Sequence, residues 1–141
     1  MGREIVFYCR FGGKLGWGHV IRCSALAEAA QDSGWNTKLY TRSDLSVLGE
    51  ETRAAFNEFV DEGSVALEEV VESADVLFVD EMYWKDSDFE RVAKVTRARG
   101  CCLAATDDMQ QRVLECVDLI LNPEPGLRGR PYKSNGRQLV G

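Results

Sequence analysis

The sequence predicts an α/β domain with a Rossmann-like, mostly parallel sheet and helices on both of its faces. Runs that are apolar throughout, such as Ile5-Val6-Phe7-Tyr8-Cys9 and Val76-Leu77-Phe78-Val79, read as strands buried on both sides. They alternate with stretches of helical periodicity, and that alternation implies right-handed crossovers between parallel strands. A glycine-rich junction, Gly12-Gly13-Lys14-Leu15-Gly16-Trp17-Gly18-His19, divides the first strand from the first helix, where open α/β sheets hold ligands.

Taken in order, Glu4 to Cys9 is the first strand, rich in β-branched and aromatic residues. A helix is predicted from His19 to Ser33, because Val20, Cys23, Leu26, Ala27 and Ala30 recur at helical spacing and Gly34 follows where a helix end prefers glycine. Asn36 to Thr41 is a second strand. Ser43 to Ser73 is polar and Glu-rich and is predicted to hold two helical pieces separated near Gly63. Asp75 to Asp80 is another buried strand, followed by a loop with Tyr83 and Trp84. Ser87 then opens a helix, with Glu90 at capping-box spacing. Cys101 to Thr106 is a strand, Asp107-Asp108 leads into a short helix ending near Glu115, and Asp118 to Leu121 is a further strand before Asn122. Residues 1–122 are expected to form the domain. Residues 123–141, with three prolines and four glycines, read as a connection with a short strand at Gln138 to Val140.

A chain of 141 residues fits one domain but is short for an enzyme that closes two lobes around a substrate. Its net charge of −6 opposes nucleic-acid binding, which depends on lysine and arginine neutralising phosphates. No apolar stretch approaches the roughly 20 residues of a membrane span, and the start lacks a signal-peptide layout, so a cytoplasmic location is expected. The five cysteines are odd in number and lack Cys-x-x-Cys spacing, which predicts buried reduced thiols and no metal site.

The glycine loop fails the two common phosphate-binding templates. A dinucleotide fingerprint would need glycine at Ile21, and a P-loop would need glycine at Tyr8 and Ser or Thr at Leu15. What remains is a loop that admits close backbone approach, with His19 at the first helical turn. The positive end of the helix dipole should help keep His19 neutral and able to accept a proton. Residue type alone leaves His19 open as general base or helix cap, and Arg22 as a contact to an anion or acid, or as a solvated charge. In an open parallel sheet Asp80, Tyr83, Asp107, Asp108 and Asn122 fall on the same carboxyl edge. Asp108 reads best as an N-cap, Tyr83 and Trp84 as loop packing, and Asn122 as a turn residue, while Asp80 and Asp107 stay open between ligand contact and loop anchor.

The combination of Gly16-Trp17-Gly18-His19-Val20-Ile21-Arg22-Cys23-Ser24-Ala25-Leu26-Ala27 with Asp80, Thr106-Asp107-Asp108-Met109 and Cys116-Val117-Asp118-Leu119-Ile120-Leu121-Asn122 resembles the amino-terminal half of the UDP-2,4-diacetamido-2,4,6-trideoxy-L-altropyranose hydrolases. These act in pseudaminic acid biosynthesis, and their relatives include spore-coat polysaccharide proteins. The resemblance implies the amino-terminal lobe of a glycosyltransferase-B-like fold. His19 would activate water to attack the anomeric carbon of a UDP-sugar, releasing UDP with inversion. Gly16, Gly18, Arg22, Asp80, Tyr83, Asp107 and Asn122 would contact substrate, with no metal or other cofactor. A second Rossmann-like lobe, in cis or in trans, would bind most of the uridine nucleotide. The chain departs from the family at Tyr8 and Arg10, where an Arg-x-Asp element is usual, and it ends about where the family enters its second lobe. This chain alone is therefore expected to be nearly inactive. The same Gly-x-Gly-His-x-x-Arg start occurs in transferases related to the peptidoglycan GlcNAc transferase, and a non-catalytic assembly module is the third alternative.

Overall fold

A computed structural model describes residues 2–107, 115–122 and 137–140, the last stretch as backbone. Among these residues seven strands form one sheet: β1 (Glu4–Cys9), β2 (Asn36–Thr41), β3 (Glu58–Asp61), β4 (Val76–Asp80), β5 (Cys102–Thr106), β6 (Leu119–Asn122) and β7 (Arg137–Val140). Their order is β3-β2-β1-β4-β5-β6-β7, and every neighbouring pair is parallel. The helices are α1 (Gly18–Asp32), α2 (Glu50–Ala54), α3 (Leu67–Val70) and α4 (Asp86–Ala98). The chain is thus a Rossmann-like α/β fold. The strand expected at Gln138 to Val140 is β7, so the sheet continues past residue 122.

The pleat of β1 explains why the sheet is covered twice. Phe7 and Cys9 point to one face, where Val20, Cys23 and Ala27 of α1 pack with Leu39 and Phe78. Val6 and Tyr8 point to the other, where Phe89, Val92 and Ala93 of α4 pack with Leu77, Val79 and Leu103. Leaving β1 the chain crosses over one face, and leaving β4 it crosses over the other. The two departing loops therefore diverge, and a crevice opens at the carboxyl ends of β1 and β4. The register pairs Cys9 with Asp80, so both strands end at the same level beneath it.

Local signals account for the element ends. Helix α1 closes in a Schellman arrangement, with Gly34 at φ 85°, its N–H on Gln31 O at 2.8 Å and Trp35 N–H on Ala30 O at 3.0 Å. Helix α4 begins earlier than Ser87: the Asp88 carboxylate accepts from the backbone N–H of Lys85 at 2.8 Å, so Asp88 and not Glu90 closes the turn. The Glu-rich region holds its two expected helical pieces, α2 and α3, on either side of Gly63, and between them a strand that was not expected, β3. Glu58 and Asp61 are exposed at the sheet edge while Phe59 and Val60 are half-buried on opposite faces, so this edge strand carries the charge that made the segment look helical. The short helix predicted after Asp107, with Asp108 as its cap, lies outside the described residues.

Candidate functional site

Asp80 ends β4 at the bottom of the crevice and is 1 % exposed. An isolated carboxylate would be costly there, and the fold surrounds it with donors. Arg22 engages it with two guanidinium nitrogens, Nε to Oδ2 at 2.6 Å and Nη2 to Oδ1 at 2.8 Å. His19 places Nδ1 2.7 Å from Oδ1, and Thr106, the last residue of β5, donates its hydroxyl to the same oxygen at 2.8 Å. His19 and Arg22 reach the carboxylate together because residues three apart share a helix face. The first turn of α1 and the ends of β4 and β5 thus converge on one group.

Charge follows from these contacts. Burial alone would push the Asp80 carboxyl up, but the hydrogen bonds from His19 and Arg22 and their positive charges outweigh it and hold the group below its ordinary value. The bond to Asp80 raises His19 above the usual imidazole value, against burial and the repulsion of Arg22. This corrects the expectation from the helix dipole: the α1 terminus favours neutral imidazole, but the adjacent carboxylate dominates. An ionised Asp80 can only accept, so Nδ1 carries the proton and the neutral ring keeps its free lone pair on Nε2. A carboxylate-oriented imidazole of that tautomer can take a proton from water or a hydroxyl.

The glycine loop frames this pair. Gly12 donates to Gly16 O at 2.8 Å across a short 3-10 turn, and Gly16 holds φ 72°, a conformation costly for any residue with a side chain. Gly18 opens α1, and a Cβ there would meet nothing within 4 Å, leaving the approach to the helix start open. Below the site, burial pushes the Cys23 thiol well above its ordinary value, with neighbouring Cys9 adding to the shift. All five cysteines are free thiols, with Cys9, Cys23 and Cys101 buried and Cys102 and Cys116 half-buried.

Of the residues predicted for the site, His19, Arg22 and Asp80 are in direct contact. Arg22 is no solvated charge, since it grips the neighbouring acid. Asp107 and Asn122 lie at the carboxyl ends of β5 and β6, both buried, with the Asp107 N–H on Leu121 O at 3.2 Å. Asn122 is therefore an interior strand-end residue and no surface turn. Tyr83 stands apart with its side chain outward, 61 % exposed, and its N–H on the Glu81 carboxylate at 3.1 Å. Two features escaped the sequence. Thr106 looks like an ordinary β-former until the strand order brings β5 beside β4. Glu81, only 4 % exposed, bonds Arg10 Nε at 2.7 Å and so ties the loop after β4 to the loop after β1. Its one sequence signal is a second acid next to Asp80.

Among the described residues no group of three or more His, Cys, Asp or Glu side chains is placed to hold a metal ion, and no helix is long and apolar enough to cross a membrane. Compared with protein-family models, curated proteins and solved structures, the chain matches none.

Proposed function

We propose that this domain is the catalytic lobe of a nucleotide-sugar hydrolase, with His19 as the general base. The observation that carries the reading is the contact of His19 Nδ1 with the buried Asp80 carboxylate at 2.7 Å, at the crevice where the loops leaving β1 and β4 diverge. In the reaction, Nε2 of neutral His19 takes a proton from water as its oxygen attacks the anomeric carbon. The bond from that carbon to the diphosphate oxygen breaks, UDP leaves with the electron pair, and the configuration inverts. Asp80 stabilises the imidazolium formed, while Arg22 and Thr106 keep the carboxylate ionised and aimed. Gly16 and Gly18 give the sugar room at the helix start, and the resemblance assigns further substrate contacts to Asp107, Asn122 and Tyr83. It assigns most of the uridine to a second Rossmann-like lobe, and links the pathway to polysaccharide or pseudaminic acid biosynthesis.

The test is UDP release from a panel of UDP-linked acetamido sugars by wild type and His19→Asn in the presence of the second lobe. Removing a general base should lower kcat by about 10²- to 10⁴-fold with little change in KM. Equal turnover by the variant would remove His19 as the base. Calorimetry on this chain alone should show weak UDP binding, and tight binding would refute the division of labour between lobes.

A further inference from the structure

On the α4 side of the sheet, away from α1, a cavity of ≈ 290 Å³ opens above the carboxyl ends of β1 and β2. One wall is aromatic. Tyr8 packs against Trp84 with ring centroids 5.0 Å apart at 38°, and against Tyr40 at 5.7 Å and 53°. Leu77 and Val92 close the floor. The rest of the lining alternates guanidinium and carboxylate: Arg42 and Arg91 against Glu62 and Glu68.

Glu62 is held in place. Its Oε2 accepts from the Tyr8 hydroxyl at 2.9 Å and its Oε1 meets Arg42 Nη2 at 3.4 Å, which leaves acceptor capacity on both oxygens. The Tyr40 hydroxyl donates to Val65 O at 2.8 Å, and burial with the nearby Glu62 and Glu68 pushes its pKa up to about 12. Among the described residues the Arg91 and Glu68 side chains make no hydrogen bond or ion pair, although both line the cavity. A half-buried Trp84, with Tyr8 and Tyr40 buried behind it, beside a mixture of strong donors and strong acceptors suits one ligand chemistry. The C–H face of a pyranose ring is electropositive and lies on an aromatic face, while its hydroxyls both donate and accept.

We infer that this cavity is a binding site for a single neutral saccharide ring, separate from the His19 crevice and independent of the hydrolase reading. Its volume lies at the small end of the roughly 300–1,000 Å³ typical of ligand pockets, which suits one hexose and not a dinucleotide. Its balanced charges disfavour a polyanion, which would meet Glu62 and Glu68. A purely apolar ligand would strip water from both carboxylates without replacing their hydrogen bonds. The two sites are neighbours: Tyr8 lines the cavity, and Glu81, next to Asp80 in the chain, pairs at 2.7 Å with Arg10, two residues beyond Tyr8.

The experiment is a nitrogen-15 NMR titration with methyl β-D-glucopyranoside, methyl N-acetyl-β-D-glucosaminide and methyl α-D-mannopyranoside, with uridine, inorganic phosphate and cyclohexanol as comparators. At least one glycoside should shift the Trp84 indole N–H, assigned through Trp84→Phe, together with amides of residues 62–68, and the shift should saturate. Arg91→Ala and Glu68→Gln change exposed side chains, so their spectra should stay folded while affinity falls about fivefold, the equivalent of roughly 1 kcal/mol. The inference is overturned if no glycoside moves Trp84, if both variants bind as wild type does, or if uridine, phosphate or cyclohexanol moves Trp84 as strongly as the best glycoside. Shifts confined to Trp17 and His19 would also overturn it, by placing the sugar in the other crevice.

Discussion

Asp80 and Glu4 are carboxylates at opposite ends of the central strand pair, and each gathers several donors. Glu4, at the start of β1, accepts from Ser73 Oγ at 2.8 Å, Asn36 Nδ2 at 3.0 Å and Lys38 Nζ at 3.1 Å. Asp80, at the end of β4, accepts from His19, Arg22 and Thr106. What separates them is water: the Glu4 side chain is 13 % exposed and the Asp80 side chain 1 %. A hub that water still reaches can replace part of a lost contact with solvent. A buried hub makes every partner dependent on every other, because no solvent replaces a lost contact. The amino end of the sheet is thus a tolerant ion cluster, and the carboxyl end a site whose protonation states are set by the fold.

The strongest way to break this contrast is to delete the buried acid. Asp80→Ala strips the carboxylate from Arg22 and His19 in a place water reaches poorly, and should cost about 3–5 kcal/mol in urea unfolding. Acid should do the same reversibly. Because the Asp80 carboxyl lies below its ordinary value in the folded state, its contribution is present above the unfolded value of about 3.8 and is lost as pH falls through the folded value. The margin of wild type over Asp80→Asn should shrink in that acid range.

His19 sharpens the contrast with the opposite sign. Its pKa is raised on folding, so its stabilisation is complete below the unfolded value of about 6.5 and disappears as pH rises through the raised folded value. The stability margin of wild type over His19→Gln should therefore be greatest below about pH 6.5. His19 is the only histidine, so a proton NMR titration reads it without ambiguity. The midpoint should lie above the ordinary value in wild type and below it in Asp80→Asn, where burial persists without the anion. An unmoved midpoint would mean that Asp80 does not control the imidazole.

Thr106→Val removes one donor from Asp80 while keeping the shape of a buried side chain, and should cost about 1 kcal/mol. A loss near that of Asp80→Ala would show that the hydroxyl, and not the arginine fork, holds the carboxylate.

How much of this was legible beforehand depended on whether the signal was local. The all-apolar run Ile5 to Cys9 announces a doubly covered strand, and the spacing of Val20, Cys23 and Ala27 announces the helix packed upon it, because each is written in neighbouring residues. Edge strand β3 was hidden, since a strand with solvent on one side can carry Glu58 and Asp61 at no cost. The glycine loop and His19 marked the crevice, and Asp80 fell on its edge. That His19, Arg22 and Thr106 would all meet on Asp80 depends on β1, β4 and β5 lying side by side, and no local pattern states that order. Glu81 and Arg10 were missed for the same reason, being partners separated by 71 positions.

The smallest predicted effect tests the comparison from its other side. Glu4→Gln keeps the length of the side chain and an acceptor oxygen for Ser73 and Asn36, and removes only the charge facing Lys38. That ammonium also meets Glu58 at 3.4 Å, and that carboxylate is 54 % exposed, so Lys38 keeps a solvated partner. Urea unfolding should show a loss of about 1 kcal/mol, well short of that for Asp80→Ala, because the remaining acceptor oxygen and nearby water take up part of the lost contact. The loss should shrink in high salt more than that of Asp80→Ala, because salt screens the cluster on its exposed Glu58 side more than it screens the buried Asp80 carboxylate. If Glu4→Gln costs as much as Asp80→Ala, or its cost ignores salt, then solvent is not what distinguishes the two carboxylates. The rigidity of the His19 site would then have to come from packing around α1 and not from the burial of its acid.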